Sequence, residues 1–107
     1  MTATTGLTEK TVSSLQNLFH QNLKIVSVIL YGSRAKGTFK NGSDIDLTID
    51  GPDLSLAELL KLENDIDNLL LPYKVDLSIL QKIENPELVE HINRVGKIFY
   101  QRTSKVS

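Results

Sequence analysis

Cysteine is missing from this chain, which excludes disulfides, thiolate nucleophiles and zinc–thiolate sites together. An excess of either charge is also missing: 12 Lys and Arg stand against 13 Asp and Glu, a net charge of −1. Whole-molecule attraction to nucleic acid or to an anionic membrane is therefore not expected, and any polyanion must be met by a local site. No long hydrophobic run is present. The longest, residues 25–31, is broken by Ser27 and falls far short of the ~20 residues of a membrane helix. The first ten residues lack the basic start and apolar stretch of a signal peptide, so a cytoplasmic setting is expected. Repeats, low-complexity segments and linkers are absent as well.

What remains is a chain of 107 residues, 40% hydrophobic and 23% charged, which reads as one globular domain over residues 1–107. Val12, Leu15, Leu18 and Phe19 recur at helical spacing behind Thr8 as N-cap, predicting a helix over residues 8–21. Residues 24–31 are rich in Ile and Val and suit a buried strand. Residues 44–50 alternate strictly, with Asp44, Asp46, Thr48 and Asp50 on one face and Ile45, Leu47 and Ile49 on the other. After the turn Gly51-Pro52-Asp53, Ser55 and Glu58 make a capping-box pattern that opens a leucine-rich helix over residues 55–71. A third alternating run covers residues 74–80, with Asp76 on its polar side. Asn85-Pro86 opens a last helix that Gly96 closes, and residues 98–100 form a short edge strand. The expected fold is α/β (α+β), a mixed sheet with helices packed on one face.

Asp44 and Asp46, two apart on a strand, present their carboxylates to the same side. Two such groups repel unless a cation lies between them. Mg²⁺ suits them, because it takes hard oxygen ligands and is usually bound through one or two carboxylates plus phosphate oxygens. If the strand bearing Asp76 pairs with residues 44–50, three acids share one patch, as a two-metal phosphoryl-transfer site requires. Ahead of them runs Gly32-Ser33-Arg34-Ala35-Lys36-Gly37-Thr38, entered from a buried strand. Gly32 permits close backbone approach, free turn N–H groups and the Ser33 hydroxyl meet phosphate oxygens, and Arg34 and Lys36 offer positive charge.

Gly32-Ser33, ten residues, then Asp44-Ile45-Asp46, with Val75-Asp76-Leu77 further on, resembles the signature of the DNA polymerase β-like nucleotidyltransferase superfamily. The likeness is strongest to its minimal nucleotidyltransferase (MNT) antitoxins and extends over about residues 24–100. It implies the polymerase β-like fold, two Mg²⁺ ions and ATP as substrate. Asp44 and Asp46 would bind both ions, and Asp76 would bind one and help activate the acceptor hydroxyl. Gly32 and Ser33 would hold the β- and γ-phosphates. The acceptor in that family is a tyrosine of a HEPN-domain toxin, silenced by AMP transfer. Lys36 stands where many relatives carry Arg, which keeps the charge and loses the fork.

Rival motifs fail on the same residues. A P-loop would need Lys-Ser or Lys-Thr after Gly37, where Thr38 and Phe39 stand, and a calcium loop from Asp44 would need Gly at Ile49 and Glu at Ser55. His20 and His91 are expected as surface or boundary residues, Asp50 as a solvated or capping acid, and Phe39 either as a partner contact or folded back on the core. Tyr31 and Tyr73 flank the site with no chemistry assigned. Two other functions compete with the enzyme: an idle nucleotidyltransferase-fold module that occludes a toxin, and a subunit of a small-molecule nucleotidyltransferase.

Overall fold

A computed structural model describes residues 5–102 of the chain. Its elements run α1 (Glu9–His20), β1 (Ser27–Tyr31), α2 (Ser33–Lys36), β2 (Ile45–Asp50), α3 (Leu56–Asp67), β3 (Val75–Ile79), a 3-10 turn (Leu80–Lys82), α4 (Pro86–Val95) and β4 (Lys97–Gln101). The strands form one mixed sheet in the order β3-β2-β1-β4. β1 is antiparallel to both β2 and β4, whereas β2 and β3 run parallel, with α3 as the crossover that a parallel pair needs.

Local signals set the helix starts. Thr8 accepts from the Thr11 N–H at 3.2 Å and begins α1. Ser55 and Glu58 complete their reciprocal capping box at α3, and Asn85 accepts from the Glu87 N–H ahead of Pro86 at α4. Gly96 closes α4 as expected, and two other boundaries depart from expectation. Residues 24–26 are not strand, because Asn22 closes α1 by accepting from Lys24 and Ile25. The leucine-rich helix stops at Asp67 instead of running to residue 71, and Leu70 turns the chain with a left-handed φ of 55°. Leu69 and Leu71 still reach the core from that irregular stretch. Residues 33–36, expected as part of a turn, close one turn of helix.

Val28, Leu30, Ile45, Leu47, Ile49, Leu77 and Ile79 point to one face of the sheet, where Leu15 and Phe19 of α1 and Leu59, Leu62 and Ile66 of α3 cover them. The expectation that all helices share this face does not hold for α4. A Cβ on Gly96, at the end of α4, would overlap Ile29, and the His91 ring meets the Tyr31 ring edge-on at 6.1 Å. Ile29 and Tyr31 alternate with the core-facing Val28 and Leu30, so α4 lies over the opposite face. Two-sided cover follows from the position of β1 inside the sheet, where both of its faces need burial. The other face of β2 and β3 carries the acids and stays open at one end.

Candidate active site

Pairing of β2 with β3 puts Asp46 directly beside Asp76, and pairing of β1 with β2 puts Tyr31 beside Asp46. Tyr31, Asp46 and Asp76 thus form one row across three strands, with neighbours ~4.8 Å apart by strand spacing. Asp44 precedes β2 by one residue and lies ~6.7 Å along the chain from Asp46, on the same side. Asp44 and Asp76 are exposed, and Asp46, at the corner of this L, is half-buried. Among the described residues no three His, Cys, Asp or Glu side chains close around a single point as a ready cage for a metal ion. The three acids share a patch, and the patch is open.

Electrostatics single out Asp46. Burial, then the nearby carboxylates of Asp76 and Asp44, raise its carboxyl above the ordinary carboxylate value, and His91 opposes the rise. Such crowding of like charge is what a divalent cation relieves. Mg²⁺ bound by one or two carboxylates and completed by phosphate oxygens and water fits this donor set without a closed cage. Burial also raises the Tyr31 hydroxyl, followed by Asp76 and Asp46, against a lowering hydrogen bond with Ser78. Tyr31 therefore stays protonated and faces the acids as a neutral group. Further along the same face the Ser78 hydroxyl donates to Thr48 at 2.9 Å, and Gln81 donates to Asp50 at 2.6 Å. Asp50 is thereby held by Gln81, away from the open end.

The glycine-serine turn abuts the acids. Gly32 has φ 77° and ψ −157°, a conformation that is essentially glycine's alone, and a Cβ there would overlap the Asp46 carboxylate. Close approach of backbone to acid thus requires this residue. Ser33 opens α2, and its carbonyl accepts from the Gly37 and Thr38 N–H groups to tie the turn shut. The first N–H groups of that helical turn have no partner inside it and are available to phosphate oxygens. Lys36 is exposed at its end.

Arg34 does not take the place expected of it. Its side chain is 2% exposed, and its guanidinium donates to the Ser43 carbonyl at 2.9 and 3.2 Å and to the Thr5 carbonyl at 2.8 Å. The Phe39 and Tyr73 rings lie 5.0 and 4.8 Å from its Cζ. With its donors engaged on carbonyls and its charge sandwiched by aromatics, Arg34 is not a phosphate ligand. Phe39 accordingly folds inward. Tyr31, expected beside the site with no chemistry assigned, and His91, expected as a surface or boundary residue, are both brought to the acid face. That Tyr31 stands directly beside Asp46 follows only from the β1–β2 register, and nothing in the sequence announces that α4 lays His91 across it.

A mixed sheet with strand-borne acids touching a glycine-serine turn defines a class, the nucleotidyltransferase domains. The chain belongs to the polymerase beta nucleotidyltransferase family, whose model matches residues 13–105. Among curated relatives, "Putative protein adenylyltransferase MJ1217" of Methanocaldococcus jannaschii is 35% identical over 91 residues, which cover 78% of this chain and 92% of the relative. A crystal structure of a toxin-antitoxin with AMP-PNP superposes with a TM-score of 0.68 at 25% identity, covering 90% of this chain and 75% of that one. An MNT antitoxin in complex with a tri-AMPylated Shewanella oneidensis HEPN toxin shares the fold, with a TM-score of 0.66 at 20% identity over 88% of this chain and 72% of that one.

Proposed function

We propose that this chain is a Mg²⁺-dependent protein adenylyltransferase, transferring AMP from ATP to a tyrosine hydroxyl of a partner HEPN-domain toxin and acting as its antitoxin. The cytoplasm, where ATP and Mg²⁺ are at hand, is its proposed setting; no helix among the described residues is long and apolar enough to cross a membrane. The observation that carries the reading is the contact between Gly32 and Asp46, which couples a phosphate-cradling turn to the acid patch. The name of the curated relative, a protein adenylyltransferase, supports transfer of AMP to a protein, and the toxin-antitoxin structures support a toxin as the partner.

In this reading Gly32 and Ser33 seat the β- and γ-phosphates, with Lys36 adding charge from its exposed position. Asp44 and Asp46 would hold two Mg²⁺ ions, the second shared with Asp76, and the ions would neutralise charge on the triphosphate. Asp76, exposed beside Asp46, receives the proton of the incoming tyrosine hydroxyl. That oxygen bonds to the α-phosphorus as the bond to the β-phosphate oxygen breaks and pyrophosphate departs. The acid patch opens to solvent beyond Asp44 and Asp76, so a side chain from a separate protein can reach it.

The test is transfer of label from α-labelled ATP, with Mg²⁺, to a HEPN-domain protein encoded beside this gene. Label on a tyrosine of that protein, lost in Asp44→Asn and Asp46→Asn, is the expected result. A stable complex with no transferred label would replace the enzyme by the occluding module, and label on a small hydroxylated acceptor alone would replace the protein substrate.

A further inference from the structure

Arg34 sits where three site-bearing segments meet. It follows Ser33 directly, so its backbone belongs to the glycine-serine turn. Its guanidinium grips the carbonyl of Ser43, the residue immediately before Asp44, through two nitrogens at 2.9 and 3.2 Å. Its other face rests on Tyr73, three residues ahead of Asp76, with the ring 4.8 Å away. The remaining nitrogen closes the N-terminal segment onto the assembly through Thr5, and Phe39 completes the sandwich at 5.0 Å. Asp44 itself lies outside the strand ladder, since β2 begins at Ile45. Strand pairing holds Asp44 from its C-terminal side alone, where the Ile45 N–H donates to the Lys74 carbonyl at 2.9 Å, and the carbonyl on its N-terminal side is held by a buried fork.

We infer that Arg34 is a positioning residue that sets the separation between the phosphate-cradling turn and the metal-binding carboxylate of Asp44, acting through the Ser43 carbonyl. The inference rests on the reading that Asp44 and Asp46 bind a divalent cation. Only arginine meets the requirements of the position. Two parallel donors on one carbonyl, a third donor aimed at Thr5 and a flat cation between two rings are what a guanidinium offers and an ammonium does not. Lysine at this position would keep the charge and lose the fork, freeing the loop over residues 38–43 to shift Asp44 relative to Gly32 and Ser33. A displacement of that kind lowers metal affinity in a chain that is still folded, much as loss of an outer-shell partner does at other metal sites.

The experiment measures Mn²⁺ alone binding to the full chain by calorimetry, with far-UV circular dichroism to check the fold. Arg34→Lys is expected to weaken Mn²⁺ binding by roughly 10–100-fold with its dichroism unchanged. In an Asp44→Asn background the same substitution should have little further effect, because its influence runs through Asp44. Affinity within about twofold of the parent in folded Arg34→Lys, or losses that simply multiply with Asp44→Asn, overturn the inference. Should Arg34→Lys fail to fold, Tyr73→Leu carries the test, since it loosens the guanidinium without removing it. A loss that disappears in the Asp44→Asn background supports the inference, and unchanged affinity overturns it. A folded parent chain that binds no Mn²⁺ sinks the metal reading itself, a failure seen before any variant is made.

Discussion

Asp46 shows at single-residue scale how a site can be built against the stability of its own fold. Its carboxyl is held above the ordinary value by burial, by Asp76 and by Asp44, so the folded state keeps this proton to higher pH than the unfolded chain does. The favourable contribution is then complete below the unfolded value and is lost as pH rises through the folded one. Asp46→Asn removes the crowding, and is expected to raise resistance to urea at pH 7.5, with the gain shrinking toward pH 4.5. Lower stability at pH 7.5 would contradict it. On the proposed function the same variant should lose transfer activity by more than the ~100-fold that outer-shell changes cost, because a proposed ligand itself is gone. Gly32→Ala adds a methyl that overlaps the Asp46 carboxylate in a backbone conformation reserved for glycine. It should cost about 1–3 kcal/mol in chemical denaturation and depress activity together with stability.

Elements are held together by residues that no periodicity singles out. Arg102, just beyond β4, donates to the carbonyls of His20 and Asn22 at 3.0 and 2.9 Å and to that of Ile25 at 3.0 Å. It thereby satisfies the open C-terminal carbonyls of α1 from the far end of the chain, a cap supplied by tertiary contact. Arg102→Ala is expected to destabilise the fold by about 1.5–3 kcal/mol, the range for hydrogen bonds to a charged group, while leaving metal binding unchanged. Equilibrium unfolding and Mn²⁺ titration of the same sample check both halves. Read from sequence, this residue belongs to a polar tail. The N-caps were legible there, because Thr8, Ser55 and Asn85 act on neighbours two or three residues away. The ends of α1 and of α4, at Gly96, were legible too, but that of α3 was not, because Leu70 turns the chain with no glycine or proline in its place.

At the scale of the whole molecule, binding should report on folding. The proposed cation, joining acids from β2 and its neighbour β3, would bind the native chain and not the unfolded one and so raise stability by mass action. At 100 times its dissociation constant Mg²⁺ or Mn²⁺ should add about 2.7 kcal/mol, read as an upward shift in melting temperature. Asp44→Asn with Asp46→Asn should abolish the shift. An equal shift in that double variant would show that the ion binds elsewhere.

By itself the sequence determined the pieces: four strands and three of the four helices from hydrophobic period and capping chemistry, and Gly32, Ser33, Asp44, Asp46 and Asp76 as the candidate site residues from their spacing. Local rules suffice there because a strand's alternation decides which side an acid takes. The tertiary structure alone decided which strands adjoin, and so that Asp76 stands beside Asp46 and Tyr31 joins the row. It also moved Arg34 from the phosphate to the interior and laid α4 across the acid face. Those outcomes depend on contacts between residues far apart in the chain, where a buried guanidinium must find carbonyls and a two-faced sheet must find cover, and no local pattern encodes such partners.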